Sequence, residues 1–122
     1  MASRFKILFV CGRNQWRSPT AERLYQGDPR VEARSAGVSP NSRHPISDRD
    51  LDWADLVLVM ERAQAVQVRE RFRERPSLPV IESLDIPDDY RLMDPELIEL
   101  IRAGTEGYIR VVEEKPGREF ET

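Results

Sequence analysis

Hydrophobic positions along the chain alternate between short unbroken runs and longer stretches in which apolar residues recur every three or four positions. That rhythm predicts buried strands separated by amphipathic helices. The first run, Phe5–Val10, is apolar on both faces apart from Lys6, as a central parallel strand covered by helices on each side requires. Ser18-Pro19-Thr20-Ala21-Glu22 then predicts a helix start, with proline at the first helical position and Glu22 in the first turn, and the helix is expected to run to about Gly27. Val31–Ser35, closed by Ala36-Gly37, reads as a second strand whose polar Glu32 and Arg34 suit a sheet edge.

Residues 38–50 lack an apolar period and predict a loop followed by a helical turn near Ile46–Leu51. Leu56–Met60 is the next buried strand, and a helix over Arg62–Glu74 follows, with Ala65, Val68 and Phe72 on one face and Pro76 ending it. Leu78–Ile81 predicts a fourth strand. Asp94-Pro95-Glu96 opens a last helix whose buried stripe is Leu97, Ile98, Ile101, Tyr108, Ile109 and Val112, weakened in its middle by Gly104 and Gly107. The charged tail from Pro116 is expected to fray.

This order of elements predicts an α/β fold, a three-layer αβα sandwich around a four-stranded parallel sheet, as one domain over residues 1–122. A chain of this length can bury one continuous core without disulfides or metals. The hydrophobic fraction of 39% and charged fraction of 34% are those of an ordinary globular protein, and the apolar run after Lys6 is too short for a signal peptide or a membrane span. A cytoplasmic protein without membrane association is expected. The net charge of −3 and the interleaving of Arg and Glu in Arg69–Arg75 argue against a nucleic-acid surface. No cofactor is implied, and a monomer or weak dimer is expected.

In such sheets ligands bind at the carboxyl ends of the strands, so the loop after the first strand is the first place to look. It holds Cys11, the only cysteine, which can form neither an internal disulfide nor a metal site and is therefore there for packing or for reactivity. The loop reads Cys11-Gly12-Arg13-Asn14-Gln15-Trp16-Arg17-Ser18 and ends at a helix N-terminus. Inward-turned amides there make a nest for an oxyanion, and helix N-termini and nearby cations lower a thiol's pKa by several units. Arg17 supplies the cation, and its planar fork suits two phosphate oxygens at once. Ser18 can donate to a thiolate or cap the helix, and Asn14 suits a left-handed turn. Because seventeen of the nineteen basic residues are arginine, the Cys–Arg spacing gains its weight from the strand, loop and helix around it.

With these residues in order, the stretch resembles the phosphate-binding loop of the low-molecular-weight protein tyrosine phosphatases: cysteine, two residues, asparagine, any residue, cysteine, arginine, serine. The similarity continues through Pro19-Thr20-Ala21-Glu22, Ser35-Ala36-Gly37 and Ala54–Met60. The resemblance implies the phosphotyrosine phosphatase I-like fold and a phosphomonoester hydrolase working through a phospho-cysteine on Cys11. Gly12, Arg13, Asn14, Gln15, Trp16, Arg17 and Ser18 would bind phosphate, and Arg17 would also act in catalysis. The implied substrates are phosphorylated proteins or small aryl phosphates. The general acid would come from an Asp-Pro-aromatic motif that is broken here into Ile86-Pro87-Asp88-Asp89-Tyr90 and Met93-Asp94-Pro95. Asp88 is favoured over Asp89, and both over Asp94, which stands where a helix N-cap belongs. Tyr90 would then line the substrate pocket.

The sequence departs from the family where Trp16 replaces the second loop cysteine, where Gly12 is small, and in a shortened segment after Gly37. His44 reads as an exposed loop residue, Tyr25 and Trp53 as packing residues, and Asp48, Asp50, Asp52 and Asp55 as a solvated helix face and strand entry with no metal. The alternative to an efficient hydrolase is a weakly active phosphate- or phosphopeptide-binding pseudophosphatase. An arsenate reductase would need an external thiol, and a sugar phosphocarrier would not need Arg17.

Overall fold

The computed structural model describes residues 4–114, so the expected fraying of the tail from Pro116 lies outside the described residues. The elements run β1 (Phe5–Cys11), α1 (Arg17–Tyr25), β2 (Val31–Gly37), α2 (Asp48–Trp53), β3 (Leu56–Val59), α3 (Arg62–Arg71), β4 (Val80–Ser83) and α4 (Pro95–Glu114). The strands form one parallel sheet in the order β2-β1-β3-β4. The predicted αβα architecture is the observed one, with β2 at an edge.

Alternation along β1 explains the three layers. Ile7, Phe9 and Cys11 face one way with Leu56 and Leu58, and meet Tyr25 of α1 and Leu97, Ile101 and Ile109 of α4. Leu8 and Val10 face the other way with Val57 and Val59, and meet Leu51 of α2 and Ala65 and Val68 of α3. A strand apolar on both sides is thus satisfied by two helix layers, each burying branched or aromatic side chains whose transfer from water stabilises by about 1.5–3 kcal/mol apiece. Tyr25 lies parallel to the Phe9 ring with centroids 6.0 Å apart. Gly104 lets α4 approach β4's exit: a Cβ there would come within 2.7 Å of Leu84 Cδ2.

Several boundaries differ from the sequence reading. α1 begins at Arg17, so Pro19 is its third residue rather than its first. Proline is tolerated there because the N–H it lacks would have no helical partner. Glu22 then lies beyond the first turn, and its carboxylate accepts a hydrogen bond from Ser35 of β2. β4 starts at Val80 and continues through Glu82 and Ser83. The apolar run from Leu78 misled because Leu78 packs on the core from a loop, whereas a strand at the edge tolerates an exposed Val80 and polar residues. α3 ends at Arg71, with Phe72 as C-cap and turns through Arg75 before Pro76. α2 starts later than expected, because Ser47 forms a capping box with Asp50.

Candidate active site

Cys11 is the last residue of β1 and is paired with Gly37 in the sheet register. Its carbonyl accepts from Val38 N at 3.0 Å, so the cysteine's backbone belongs to the sheet while the loop turns away. The loop can turn because Asn14 adopts φ 55°, the left-handed conformation that asparagine tolerates. It can lie flat on β2 because Gly37 has no side chain: a Cβ there would come within 2.8 Å of Asn14 N. Gly12 O accepts from Ser39 N at 2.9 Å, and Arg13 O from Arg43 N at 3.3 Å, tying the loop to the segment after β2.

Under the loop runs a chain of polar contacts. Cys11 Sγ lies 3.0 Å from Ser18 Oγ, and Asn14 Nδ2 donates to that same hydroxyl at 3.0 Å. Ala36 O is a weaker acceptor for it, at 3.3 Å. The hydroxyl has one hydrogen, and with Asn14 satisfying its lone pair that hydrogen is free to point at an anionic sulfur. Ser18 therefore serves the thiol and not the helix, whose N-cap is Trp16 with no side-chain cap.

The loop encloses a hollow of about 140 Å³ lined by Cys11, Gly12, Arg13, Gln15, Trp16, Arg17 and Asp88. Cys11 is only 3% exposed, so its sulfur forms the floor. Arg17 is equally buried at 4%, and its Nη1 is held by Glu61 Oε2 at 2.5 Å and by Ile86 O at 2.8 Å. Its Nε faces Asp88 Oδ1 at 3.6 Å. With Nη1 engaged from behind, the Nε side of the fork is left for a ligand in the hollow.

Asp88 stands at the mouth, 65% exposed. Its loop is held at two points: Arg17 binds Ile86 O, and Thr20 Oγ1 accepts from Met93 N at 2.9 Å while donating to Trp16 O at 2.6 Å. Asp94, in contrast, accepts from Glu96 N at 2.9 Å as the cap of α4, and Asp89 is exposed outside the lining.

Of the residues expected to bind phosphate, Gly12, Arg13, Gln15, Trp16 and Arg17 come together around the hollow, while Asn14 and Ser18 brace it from beneath. Tyr90 does not line it. Its hydroxyl donates to Glu96 at 3.0 Å, a carboxylate contact that raises the phenol above its ordinary pKa, and its ring packs on the α1–α4 side of the core. The sequence reading missed Glu61 and Gln64. Gln64 Oε1 accepts from Met60 N at 3.0 Å and Glu61 N at 2.9 Å, which fixes the turn that aims Glu61 at Arg17. The signal was present as Glu61-Arg62-Ala63-Gln64 directly behind a buried strand, the spacing of a capping box. Elsewhere His44 Nε2 meets Asp50, Trp53 lies beneath the Arg34 guanidinium, and Asp48 and Asp52 pair with Arg75.

The same architecture recurs among solved structures. The arginine phosphatase YwlE from Geobacillus stearothermophilus matches at 26% identity over 90% of this chain and 97% of its own, with a TM-score of 0.67. The chain shares the fold of the low-molecular-weight protein tyrosine phosphatases. Structures at lower identity share this fold. The low-molecular-weight protein tyrosine phosphatase SP-PTP from Streptococcus pyogenes matches at 18% identity over 97% of this chain and 99% of its own, with a TM-score of 0.73. The tyrosine phosphatase Wzb from Escherichia coli K30, solved with phosphate, matches at 20% identity over 88% and 98%, with a TM-score of 0.67. No family model matches the sequence, and no curated protein matches it.

Proposed function

We propose that the protein is a cysteine-dependent phosphomonoester hydrolase, acting as one domain on phosphorylated proteins or small aryl phosphates. The observation that carries this reading is the hollow itself, with a sulfur at its floor, a buried guanidinium on its wall and a carboxylate at its mouth. A phosphate seated there would receive the loop amides and the free side of the Arg17 fork. Both act where negative charge spreads during transfer, in a site already organised before the substrate enters.

The Cys11 thiolate would attack phosphorus as the bond to the leaving oxygen breaks, with Asp88 delivering a proton to that oxygen. The phospho-cysteine would then be attacked by water, which gives its proton to Asp88 as the phosphorus–sulfur bond breaks and the Ser18 hydroxyl turns its hydrogen to the released sulfur. Asp88 must leave Arg17 to do this, and at 65% exposure nothing packs it in place. No residue in the scheme calls for a metal. A cytoplasmic setting suits a thiol that has to stay reduced.

Hydrolysis of p-nitrophenyl phosphate in the presence of a chelator tests the reading. Cys11→Ser should abolish turnover, and intact turnover in that variant overturns the proposal. Asp88→Asn should slow phenyl phosphate more than p-nitrophenyl phosphate, because the poorer leaving group needs the proton more. Turnover lost in Asp94→Ala with Asp88→Asn unaffected would move the acid to the other aspartate.

A further inference from the structure

The rim of the hollow carries one large apolar group. Trp16 belongs to the phosphate loop, lines the hollow beside Cys11 and Arg17, and is 38% exposed. Its backbone is fixed, since its carbonyl accepts from both Thr20 N at 3.1 Å and Thr20 Oγ1 at 2.6 Å. A tryptophan so placed leaves apolar surface in water beside a site built for an anion. Trp53 differs: its ring is covered by the Arg34 guanidinium, 4.3 Å from the centroid, and it lies outside the hollow. The aromatic side chain expected to face substrate, Tyr90, is tied to Glu96 and packed on the core.

We propose that Trp16 is the platform for the substrate's leaving group, so that the loop which binds phosphate also selects what the phosphate is attached to. The inference rests on the phosphatase reading above. A phosphate seated over Cys11 points its ester oxygen out of the mouth, along the wall that Trp16 forms, and a flat aromatic group on that oxygen can lie against the indole. An alkyl group offers less area and no ring to stack. Preference for aryl over alkyl phosphates is therefore set by Trp16 and not by Tyr90.

The test uses phosphonates, which bind without turnover, followed through Trp16 fluorescence in a Trp53→Phe background where it is the only tryptophan. Phenylphosphonate should quench that signal and bind about tenfold more tightly than methylphosphonate. Trp16→Ala, followed by inhibition of turnover, should remove that preference, read as the ratio of the two phosphonate inhibition constants so that any loss of phosphate binding common to both cancels, and Trp16→Phe should keep most of it. Should Trp16→Ala also weaken phosphate, the loop has shifted, and retention of the preference in Trp16→Phe then decides. A preference that survives Trp16→Ala, or that disappears in Tyr90→Ala, overturns the proposal. If the unaltered protein binds neither phosphate nor either phosphonate, the phosphatase reading fails; phosphate binding with equal affinity for both phosphonates sinks only the platform.

Discussion

Arg17 is held more firmly than a binding residue needs to be, because one nitrogen of its fork serves Glu61 and Ile86 O while another faces the mouth. A guanidinium fixed from behind keeps its remaining donors aimed at the ligand, and small displacements of such a group are costly in rate. Glu61→Ala should lower kcat by about tenfold or more, with a smaller change in the inhibition constant of phosphate, and Glu61→Gln should recover much of the loss by keeping the acceptor. Equal kcat in Glu61→Ala and the unaltered protein would show that Arg17 positions itself. At this scale the sequence was informative about where Cys11, Asn14, Arg17 and Ser18 lie, since their types and spacing mark a strand end, a left-handed turn and a helix start. Glu61 was hidden because its partner is forty-four residues away in the chain and only the fold brings them together. Tyr90 was misassigned because a resemblance in sequence does not say which carboxylate a phenol will find.

Elements fix the loop as much as side chains do. Gly37 belongs to β2, yet a Cβ on it would press within 2.7 Å of Ser42 Cβ and 2.8 Å of Asn14 N. Gly37→Ala should cost about 1–3 kcal/mol in chemical denaturation and weaken phosphate binding as well, because the strand and the loop cannot both keep their places. Native stability and unchanged phosphate affinity would refute this contact. In α4 the buried Thr105 hydroxyl has no hydrogen-bond partner among the described residues. Thr105→Val should raise stability by about 1 kcal/mol, read as a higher denaturation midpoint, and a lower midpoint would mean the hydroxyl is satisfied. Element existence was legible from apolar runs and helical periods, while ends were not: β4 is set by what β3 offers along the edge, and α1 by where the loop finishes its turn.

Across the whole molecule the far end of the sheet from the site is closed by an ion cluster joining the turn before β2 to α4. Arg30 donates to Asp28 at 2.8 Å and to Glu106 at 2.9 Å, and Glu106 also accepts from Tyr25. Hydrogen bonds from Arg30 hold both carboxylates below the usual range, while burial, reinforced by Glu106, lifts the Tyr25 phenol well above its own. A carboxyl whose folded pKa is depressed stabilises the fold above its unfolded value, near pH 4, and loses that contribution as pH falls through the folded value. Glu106→Gln should therefore be less stable than the parent at pH 7 by up to about 1 kcal/mol, a gap that narrows below pH 4. A gap independent of pH would assign the loss to packing.

The two tethers on the stretch that carries Asp88 bear on timing. Arg17 grips it at Ile86 and Thr20 at Met93, and Thr20 grips the Cys11–Arg17 loop with the same hydroxyl. Floor and mouth are thus fastened to one frame, and in the proposed reaction the carboxylate would reach its proton acceptor by rotating about its own bonds without a flap closing first. Turnover would then run at a pace that thickening the solvent with sucrose leaves unaltered, and a kcat falling in step with viscosity would reveal a gate.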